Sequence, residues 1–239
     1  MFLIMSNAKG DKYYPIFVNL MGKQVLVVGG GQVAERKVKR LLESGASVVL
    51  VAPEVTPALQ KLVQQGKIKH KLRDFRDEDM NGAWLVVAAT DNKDVQTKVY
   101  NLANEKQIFC NVVDKPEYCT FIVPSEIRRG DLSIAISTGG KSPALAKSLR
   151  IKMEKEFDEG FEEYLDLLGQ LREFVKKIEP LHDKRVNTLK ALGDLKGMDL
   201  YRTQKWDQFV AWCTQICGPE AGQIVQEFLK ERLKHIKAC

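Results

Sequence analysis

The fold of this chain is decided by residues 24–34, which read QVLVVGGGQVA. The run Gln24–Val28 is apolar and rich in β-branched residues, as a buried strand requires. Residues Val33–Ser44 place their apolar side chains at helical spacing, and Gly45 ends that helix. A strand that leads through a glycine-rich turn directly into a helix predicts a βαβ unit and a parallel sheet.

The glycine-rich turn itself fits the pattern G-x-G-x-x-A. Gly29 permits the tight turn, Gly31 lets the main chain approach a pyrophosphate, and Ala34 lets helix and strand pack closely. Gln32 and Val33 offer the first N–H groups of the helix, where the helix dipole favours a phosphate. The motif in this context predicts a dinucleotide site, and a purely structural turn is the alternative.

Strands and helices continue to alternate as far as Asp114. Further strands are predicted at Ser47–Val51, Ile68–Leu72, Trp84–Ala88 and Ile108–Val113, and helices at Pro57–Gln65 and from Asp91 or Asn92 to about Asn104. The unbroken apolar run before Ala89 is typical of a strand buried on both faces. Residues 1–114 are therefore predicted to form a Rossmann-type α/β domain.

The pattern changes after this domain. Thr120–Val123 and Leu132–Ser137 are predicted to be the strands of an antiparallel hairpin. Ser142 is a good N-cap and Pro143 suits the first position of the following helix. The hairpin and helix together predict a small α+β segment over residues 115–157.

The remainder of the chain, residues 158–239, has helical spacing throughout. The predicted helices are Tyr164–Ile178, a segment after Lys184, Lys205–Ile216 and Ala221–Lys237. Aromatic residues recur along them at helical spacing, which favours a packed core over a cofactor site. We therefore expect a helical C-terminal domain without a recognisable motif.

Two strand ends border the expected dinucleotide site. The second strand ends in Val51-Ala52-Pro53-Glu54, where an NAD-binding unit carries an acidic residue for the ribose hydroxyls. Glu54 comes two positions late for that role, and no arginine stands there to favour a 2′-phosphate, so we expect NAD rather than NADP. The fourth strand ends in Ala88-Ala89-Thr90-Asp91, whose small residues would let a nicotinamide ribose lie against the main chain.

The basic charge is concentrated in the first part of the chain. The formal net charge is +6, yet residues 1–150 hold 22 basic and 15 acidic residues, whereas residues 151–239 hold 15 and 16. A basic surface attracts anions. Nucleic acid is not expected as a partner, because there is no recognition-helix pattern, aromatic RNA-binding signature or basic block. An anionic lipid or a small polyanion fits the charge as well.

Membrane, secretory and metal-binding classes are not expected. The apolar runs fall far short of the roughly 20 residues of a membrane helix. Met1–Met5 is apolar but too short for a signal-peptide core, so we expect a cytoplasmic protein without membrane contact. The five cysteines do not form a secreted disulfide pattern, and the three histidines show no ligand spacing. Reduced, buried thiols are therefore favoured over zinc, and no metal site is predicted.

Six stretches of the sequence point to a family when they are taken in order. They read YPIF at 14–17, VGGGQVAERK at 28–37, AATD at 88–91, CNVVD at 110–114, FIVPS at 121–125 and STGGKSPALA at 137–146. Together they closely resemble the precorrin-2 dehydrogenases of siroheme synthesis, over about residues 13–155. Members occur alone, as the front part of siroheme synthase, or as a bifunctional dehydrogenase–ferrochelatase. CNVVD and S-x-G-G-x-S-P are the specific parts of the match.

The resemblance implies an enzyme that oxidises precorrin-2 to sirohydrochlorin while NAD takes the hydride. It implies that Asp114 is the catalytic carboxylate that accepts a proton, and a turn aspartate is the alternative reading of the same residue. The substrate is a tetrapyrrole with eight carboxylate arms, which suits the basic surface. The candidate substrate-binding residues are Thr138, Lys141, Ser142, Arg128 and Arg129. The family is homodimeric, and the segment after the Rossmann domain forms much of its interface.

Two other functions remain open. Some family members insert Fe²⁺ into sirohydrochlorin, but the histidines here offer no obvious iron ligand, and the chain could also be mainly such a ferrochelatase. The other alternative is a regulatory module that senses NAD without chemistry. Thr138 also departs from the family, in which this position is often a serine.

Overall fold

The structure is a computed structural model that describes residues 13–238, without the side chains of Leu233 and of residues 235–238. It forms two compact units, which are divided between Val123 and Pro124. The apolar Met1–Met5 stretch and Cys239 lie outside the described residues. Among the helices that are described, none has both the length and the apolar character needed to cross a bilayer.

The first unit is built around a five-stranded parallel sheet. Its strands are β1 (Gln24–Val28), β2 (Ser47–Val51), β3 (Lys69–Lys71), β4 (Leu85–Ala88) and β5 (Phe109–Val112), and its helices are α1 (Gln32–Glu43), α2 (Pro57–Gln64) and α3 (Lys93–Glu105). The strand order is β3-β2-β1-β4-β5, so the winding reverses beside β1. This confirms the predicted Rossmann-type sheet. In such sheets ligands bind outside the carboxyl ends of the strands at the reversal point.

The sheet is buried on both faces, as its apolar runs predict. Side chains alternate along β1, so Leu26 packs on one face with Val99 of α3. Val27 packs on the opposite face with Ala34 and Val38 of α1. These two cores hold α1 and α3 against opposite sides of the sheet, and the N-termini of both helices follow the carboxyl ends of their strands.

The second unit begins with a hairpin and a helix. Strands β6 (Ser125–Arg129) and β7 (Leu132–Ile136) pair antiparallel, and α4 (Pro143–Glu156) follows. The prediction of a strand at Thr120–Val123 is wrong, although a hairpin is present. The main chain of that stretch is already bonded to β5: the Thr120 N–H donates to the Cys110 carbonyl at 2.8 Å. The stretch then meets Pro124, which has no N–H for a ladder.

Five helices complete the second unit. They are α5 (Gly160–Ile178), α6 (His182–Leu192), α7 (Leu195–Arg202), α8 (Trp206–Cys217) and α9 (Pro219–Ala238). Their core contains Leu167, Leu171 and Phe209, all fully buried. The aromatic stripe is therefore core, as predicted. The helical segment predicted after Lys184 is divided in the structure into α6 and α7, a break that was not predicted.

The described cysteines are free thiols. Cys110, Cys213 and Cys217 are buried, and burial raises the pKa of Cys110 and of Cys213 to about 12. These side chains are therefore neutral at physiological pH and behave as small apolar groups. This agrees with the expectation of reduced, buried thiols for the described part of the chain.

Candidate functional site

The three consecutive glycines at the end of β1 have different environments. Gly29 has φ +109°, and a Cβ on it would lie 2.1 Å from the Ala89 carbonyl oxygen. Gly29 also donates its N–H to the Val51 carbonyl at 2.9 Å. Only glycine satisfies that conformation and that contact together, so the predicted need for glycine at the tight turn is confirmed.

Gly30 is a requirement that the sequence motif did not reveal. A Cβ on it would lie 1.9 Å from the Glu54 carbonyl oxygen. Its own carbonyl accepts the Thr56 N–H at 3.0 Å, which fixes the loop between β2 and α2 against the glycine turn. Position 30 is the variable "x" of G-x-G-x-x-A, so no motif signal could have identified it.

Gly31 faces open space. No atom lies within 4 Å of the place where its Cβ would be, and its φ of −81° is accessible to any residue. It is the N-cap of α1 and has no side chain to cap the first-turn N–H groups of Gln32 and Val33. A helix N-terminus with uncapped N–H groups beside an empty main-chain surface fits a pyrophosphate.

An ion pair braces the loop that follows β2. Glu35 of α1 accepts hydrogen bonds from Thr56 Oγ1 at 2.8 Å and from Lys39 Nζ at 2.6 Å. These two bonds, with Lys39 the larger cause, lower the pKa of Glu35. Within the braced loop, Pro53 and Glu54 are exposed. The carboxylate of Glu54 is therefore accessible to a ligand, although it follows the strand end by two residues.

Two cations that follow β2 in the fold, Lys71 of β3 and Arg73, are held by the buried carboxylate of Asp79. Lys71 pairs with Val51 in the β2–β3 register, and its Nζ lies 2.7 Å from Asp79 Oδ1. Arg73 binds both oxygens of Asp79, at 2.7 and 2.8 Å. Burial alone would raise the pKa of Asp79, but these hydrogen bonds hold it well below the usual range. Both cations are therefore paired with Asp79 within the first unit.

The end of β4 forms the other wall of the glycine turn. The Ala89 N–H donates to the Val28 carbonyl at 2.7 Å, and both Ala89 and Thr90 are half-buried. Gln96 donates to the Thr90 carbonyl at 2.7 Å. Asn92, rather than Asp91, caps α3 through its side-chain oxygen. The small residues at this edge lie beside Gly29, as predicted.

Asp114 lies on the same edge of the sheet. It follows β5, which pairs with β4, and the Val113 N–H donates to the Ala88 carbonyl at 3.0 Å. Because parallel strands end at a common edge, the Asp114 turn and the glycine turn of β1 lie on the same edge, with only β4 between their strands. Its side chain is exposed and its φ is +60°. Left-handed backbone at a non-glycine residue is a feature that often marks functional sites.

Lys37 of α1 is a residue whose place in this site was not predicted. It is half-buried, and burial together with Arg40 lowers its pKa. Electrostatic attraction to the Asp114 carboxylate is among the smaller effects that oppose this shift. The sequence carried Lys37 inside the VGGGQVAERK stretch, but helical periodicity assigned it to a solvated face.

The candidate substrate residues are all in the second unit. Ser142 is the N-cap of α4 and accepts the Leu145 N–H at 3.2 Å, as predicted. Thr138 Oγ1 accepts the Ser142 N–H at 3.1 Å, and the loop between them is open at both of its glycines. Lys141 is exposed, and Arg128 makes a loose contact with Glu126 at 3.5 Å.

Arg129 of the hairpin donates from Nη1 to the Arg128 carbonyl at 2.8 Å, while its Nε is buried without a partner. Across the described residues, no group of three or more His, Cys, Asp or Glu side chains is arranged to hold a metal ion.

Comparisons with known proteins agree with this geometry. A family model described as "Putative NAD(P)-binding" matches residues 16–125, and one described as "Sirohaem biosynthesis protein central" matches residues 129–156. Siroheme synthase 3 of Aeromonas hydrophila subsp. hydrophila is 48% identical over 164 residues, which are 69% of this chain and 35% of that protein. Residues 16–156 are thus similar to the siroheme synthases.

Further comparisons give the same similarity. Siroheme synthase 2 of Yersinia pseudotuberculosis serotype O:1b is 44% identical over 165 residues, again 69% of this chain and 35% of that protein. The chain thus spans about a third of the length of these curated relatives. A solved structure named SirC, precorrin-2 dehydrogenase, superposes with a TM-score of 0.73 at 28% identity, covering 85% of this chain and 98% of that one.

Proposed function

We propose that this protein is an NAD-dependent dehydrogenase that oxidises precorrin-2 to sirohydrochlorin in siroheme biosynthesis. The observation that carries the proposal is a single sheet edge with the uncapped N-terminus of α1 at Gly31 and the exposed carboxylate of Asp114. The similarity to siroheme synthases and the likeness to a precorrin-2 dehydrogenase support the substrate class.

The glycine edge would hold the dinucleotide. The N–H groups of Gln32 and Val33 would bind the pyrophosphate over Gly31. Glu54, beside Pro53, is the acidic group available for the ribose hydroxyls. NAD is favoured over NADP because a 2′-phosphate needs a free cation, and the cations beside the end of β2 are bound to Asp79.

The reaction removes a hydride and a proton from the macrocycle. The bound nicotinamide supplies the hydride acceptor. Asp114 would accept the proton; its exposed position at the sheet edge that also carries Ala89 and Thr90 supports this role. Lys37 would keep that carboxylate in an electropositive environment, where it also meets the anionic substrate.

The second unit would supply substrate contacts and the dimer interface. Thr138 and Ser142 would present hydroxyls to substrate carboxylates, and the basic groups would come from Arg128, Arg129 and Lys141. A two-stranded hairpin such as β6–β7 is marginally stable by itself. Helix α4 also exposes Leu145, Leu149 and Ile151, at 52, 39 and 42%. A hairpin that joins no larger sheet, followed by a helix with three exposed apolar side chains, supports a homodimer formed through this segment.

An anaerobic assay tests the proposal directly. Purified protein is mixed with precorrin-2 and NAD, and absorbance is followed for NADH and sirohydrochlorin. The expected result is stoichiometric formation of both. If NAD binds but no NADH forms, the proposal is wrong and the chain is a nucleotide-sensing module. If metal insertion into sirohydrochlorin proceeds without NAD and no oxidation occurs, the chain is a chelatase.

The variant Asp114→Asn tests the assigned base. Asparagine tolerates the left-handed backbone at this position, so the turn is kept while the proton acceptor is lost. Turnover is expected to fall about 10²–10⁴-fold with an unchanged Kd for NAD. The matched control is Glu105→Gln, which changes an exposed carboxylate at the C-terminal end of α3, the end of that helix away from the strand edge that carries the candidate site. Wild-type turnover in Asp114→Asn would remove Asp114 from the mechanism.

A further inference from the structure

The turn that carries Asp114 needs support from outside its own main chain. A left-handed conformation costs a residue with a Cβ roughly 1–2 kcal/mol, less for aspartate, and persists where surrounding contacts hold it. Inside the turn, the Lys115 N–H donates to the Val112 carbonyl at 3.2 Å. That bond closes the turn but leaves the direction of the Asp114 side chain to its neighbours.

The thiol of Cys119 contacts both sides of this turn. Its Sγ lies 3.3 Å from the Val112 carbonyl oxygen and 3.2 Å from the Lys115 carbonyl oxygen, the residues that flank Val113-Asp114. The thiol has a single hydrogen, and either carbonyl oxygen is within range to accept it. Burial, the largest cause, raises the pKa of Cys119, so the thiol keeps the hydrogen that it donates.

Asn111 holds the sulfur in place. Its Nδ2 donates to the Phe121 carbonyl at 3.1 Å and to Cys119 Sγ at 3.5 Å. Asn111 is itself 8% exposed and lies in β5. The Cys110 N–H also donates to Thr120 Oγ1 at 2.8 Å, which ties the returning chain to the same strand. The sulfur therefore sits on a rigid base while it contacts the turn.

We propose that Cys119 is a positioning residue for the reaction, which fixes the Asp114 carboxylate through the Val112 and Lys115 carbonyls. This inference rests on the proposed function, in which Asp114 takes the proton. Cys119 acts on the Asp114 turn and has no proposed part in binding the dinucleotide at Gly31. Loss of its hydrogen bond should therefore impair the chemical step and spare cofactor binding.

Three cysteine variants separate positioning from general stability. Cys119→Ala removes the donor and is expected to lower kcat about tenfold to a hundredfold, as misplacement of a catalytic group does, with KM for NAD unchanged. Cys119→Ser keeps a hydrogen-bond donor at the γ position, so its kcat is expected to stay close to that of the wild type. Cys110→Ala removes a fully buried thiol from the core of the same strand. It should lower the thermal stability while kcat stays near the wild-type value.

Amide hydrogen exchange gives a readout that does not depend on turnover. The Lys115 amide is expected to exchange faster in Cys119→Ala and at the wild-type rate in Cys119→Ser. Equal exchange of this amide in wild type and Cys119→Ala overturns the inference, as does an active wild type whose kcat is unchanged by Cys119→Ala. A loss of kcat that serine does not restore also overturns it. An inactive wild type refutes the proposed function instead, and the exchange result then decides the inference alone.

Discussion

Adding one methyl group at Gly31 should weaken cofactor binding while the fold is kept. No atom lies within 4 Å of the added Cβ, and the backbone there is accessible to alanine. Alanine is a poorer N-cap than glycine, at a cost of about 1 kcal/mol or less. The methyl would stand where the pyrophosphate approaches the main chain. Losing one charge-assisted hydrogen bond costs about 1.5–3 kcal/mol, so the Kd for NAD should rise about tenfold to a hundredfold.

Gly30→Ala provides the matched comparison. Its Cβ would lie 1.9 Å from the Glu54 carbonyl oxygen, so the loop after β2 must move. Overpacking of this kind costs about 1–3 kcal/mol, or about 2–4 °C in Tm per kcal/mol for a chain of this size. Isothermal titration with NAD and thermal unfolding measure both effects. If Gly31→Ala binds NAD like the wild type, the pyrophosphate does not lie over Gly31 and the site has been placed wrongly.

Three further predictions concern stability, pH and assembly. Asp79→Asn should destabilise the first unit by about 3 kcal/mol, the lower end for breaking a buried ion pair because its cations are partly exposed; urea unfolding at pH 7 measures it. Because the pKa of Asp79 is depressed in the folded state, its stabilising contribution is complete at neutral pH. That contribution is lost as the pH falls below the ordinary carboxyl pKa near 4. The wild type should therefore lose more stability between pH 7 and pH 3 than Asp79→Asn does. Leu145→Glu combined with Leu149→Glu should shift the protein from dimer to monomer in sedimentation, because both charges would be buried in the proposed interface.

Controls make these outcomes decisive. Asp77→Asn changes an exposed acid in the short 3₁₀ helix Asp77–Met80, which also contains Asp79, and should leave the unfolding free energy nearly unchanged. Leu195→Glu changes a leucine of α7 that is 70% exposed and should leave the sedimentation coefficient unchanged. An equal pH dependence in wild type and Asp79→Asn, or a dimer that persists with both glutamates in α4, would contradict the respective argument.

The sheet could be predicted because its signals are local. Strands β1, β2 and β4 are apolar runs bounded by turn residues, whereas β3 reads KHK and was found by its place in the alternation of strands and helices. The glycine motif fixes the first crossover. Thr120–Val123 has the same local signal and is not a strand, because its main chain bonds to Asn111 and to Cys110 of β5. Such a long-range competition for hydrogen bonds has no signature in the segment itself.

The roles that the sequence did not reveal have the same cause. A Cβ on Gly197 would lie 2.4 Å from the Trp212 ring, so this glycine serves close packing of α7 against α8. Gly30 serves the loop at Glu54 in the same way. Lys37 looks like a solvated lysine until the end of β5 comes near it. Each of these roles depends on a partner that only the fold brings close.

The two halves of the candidate site should therefore respond differently to substitution. At the dinucleotide edge the shape is made by main chain, because Gly29 and Gly30 are in contact with the carbonyls of Ala89 and Glu54. Side-chain changes at Pro53 should then be tolerated, whereas any Cβ at either glycine should not. At the Asp114 edge the geometry is made by side chains, through the Cys119 thiol and its neighbours. A substitution at the Asp114 edge can therefore lower turnover without changing the cofactor site. The expected phenotype is a protein that binds NAD normally and turns over slowly.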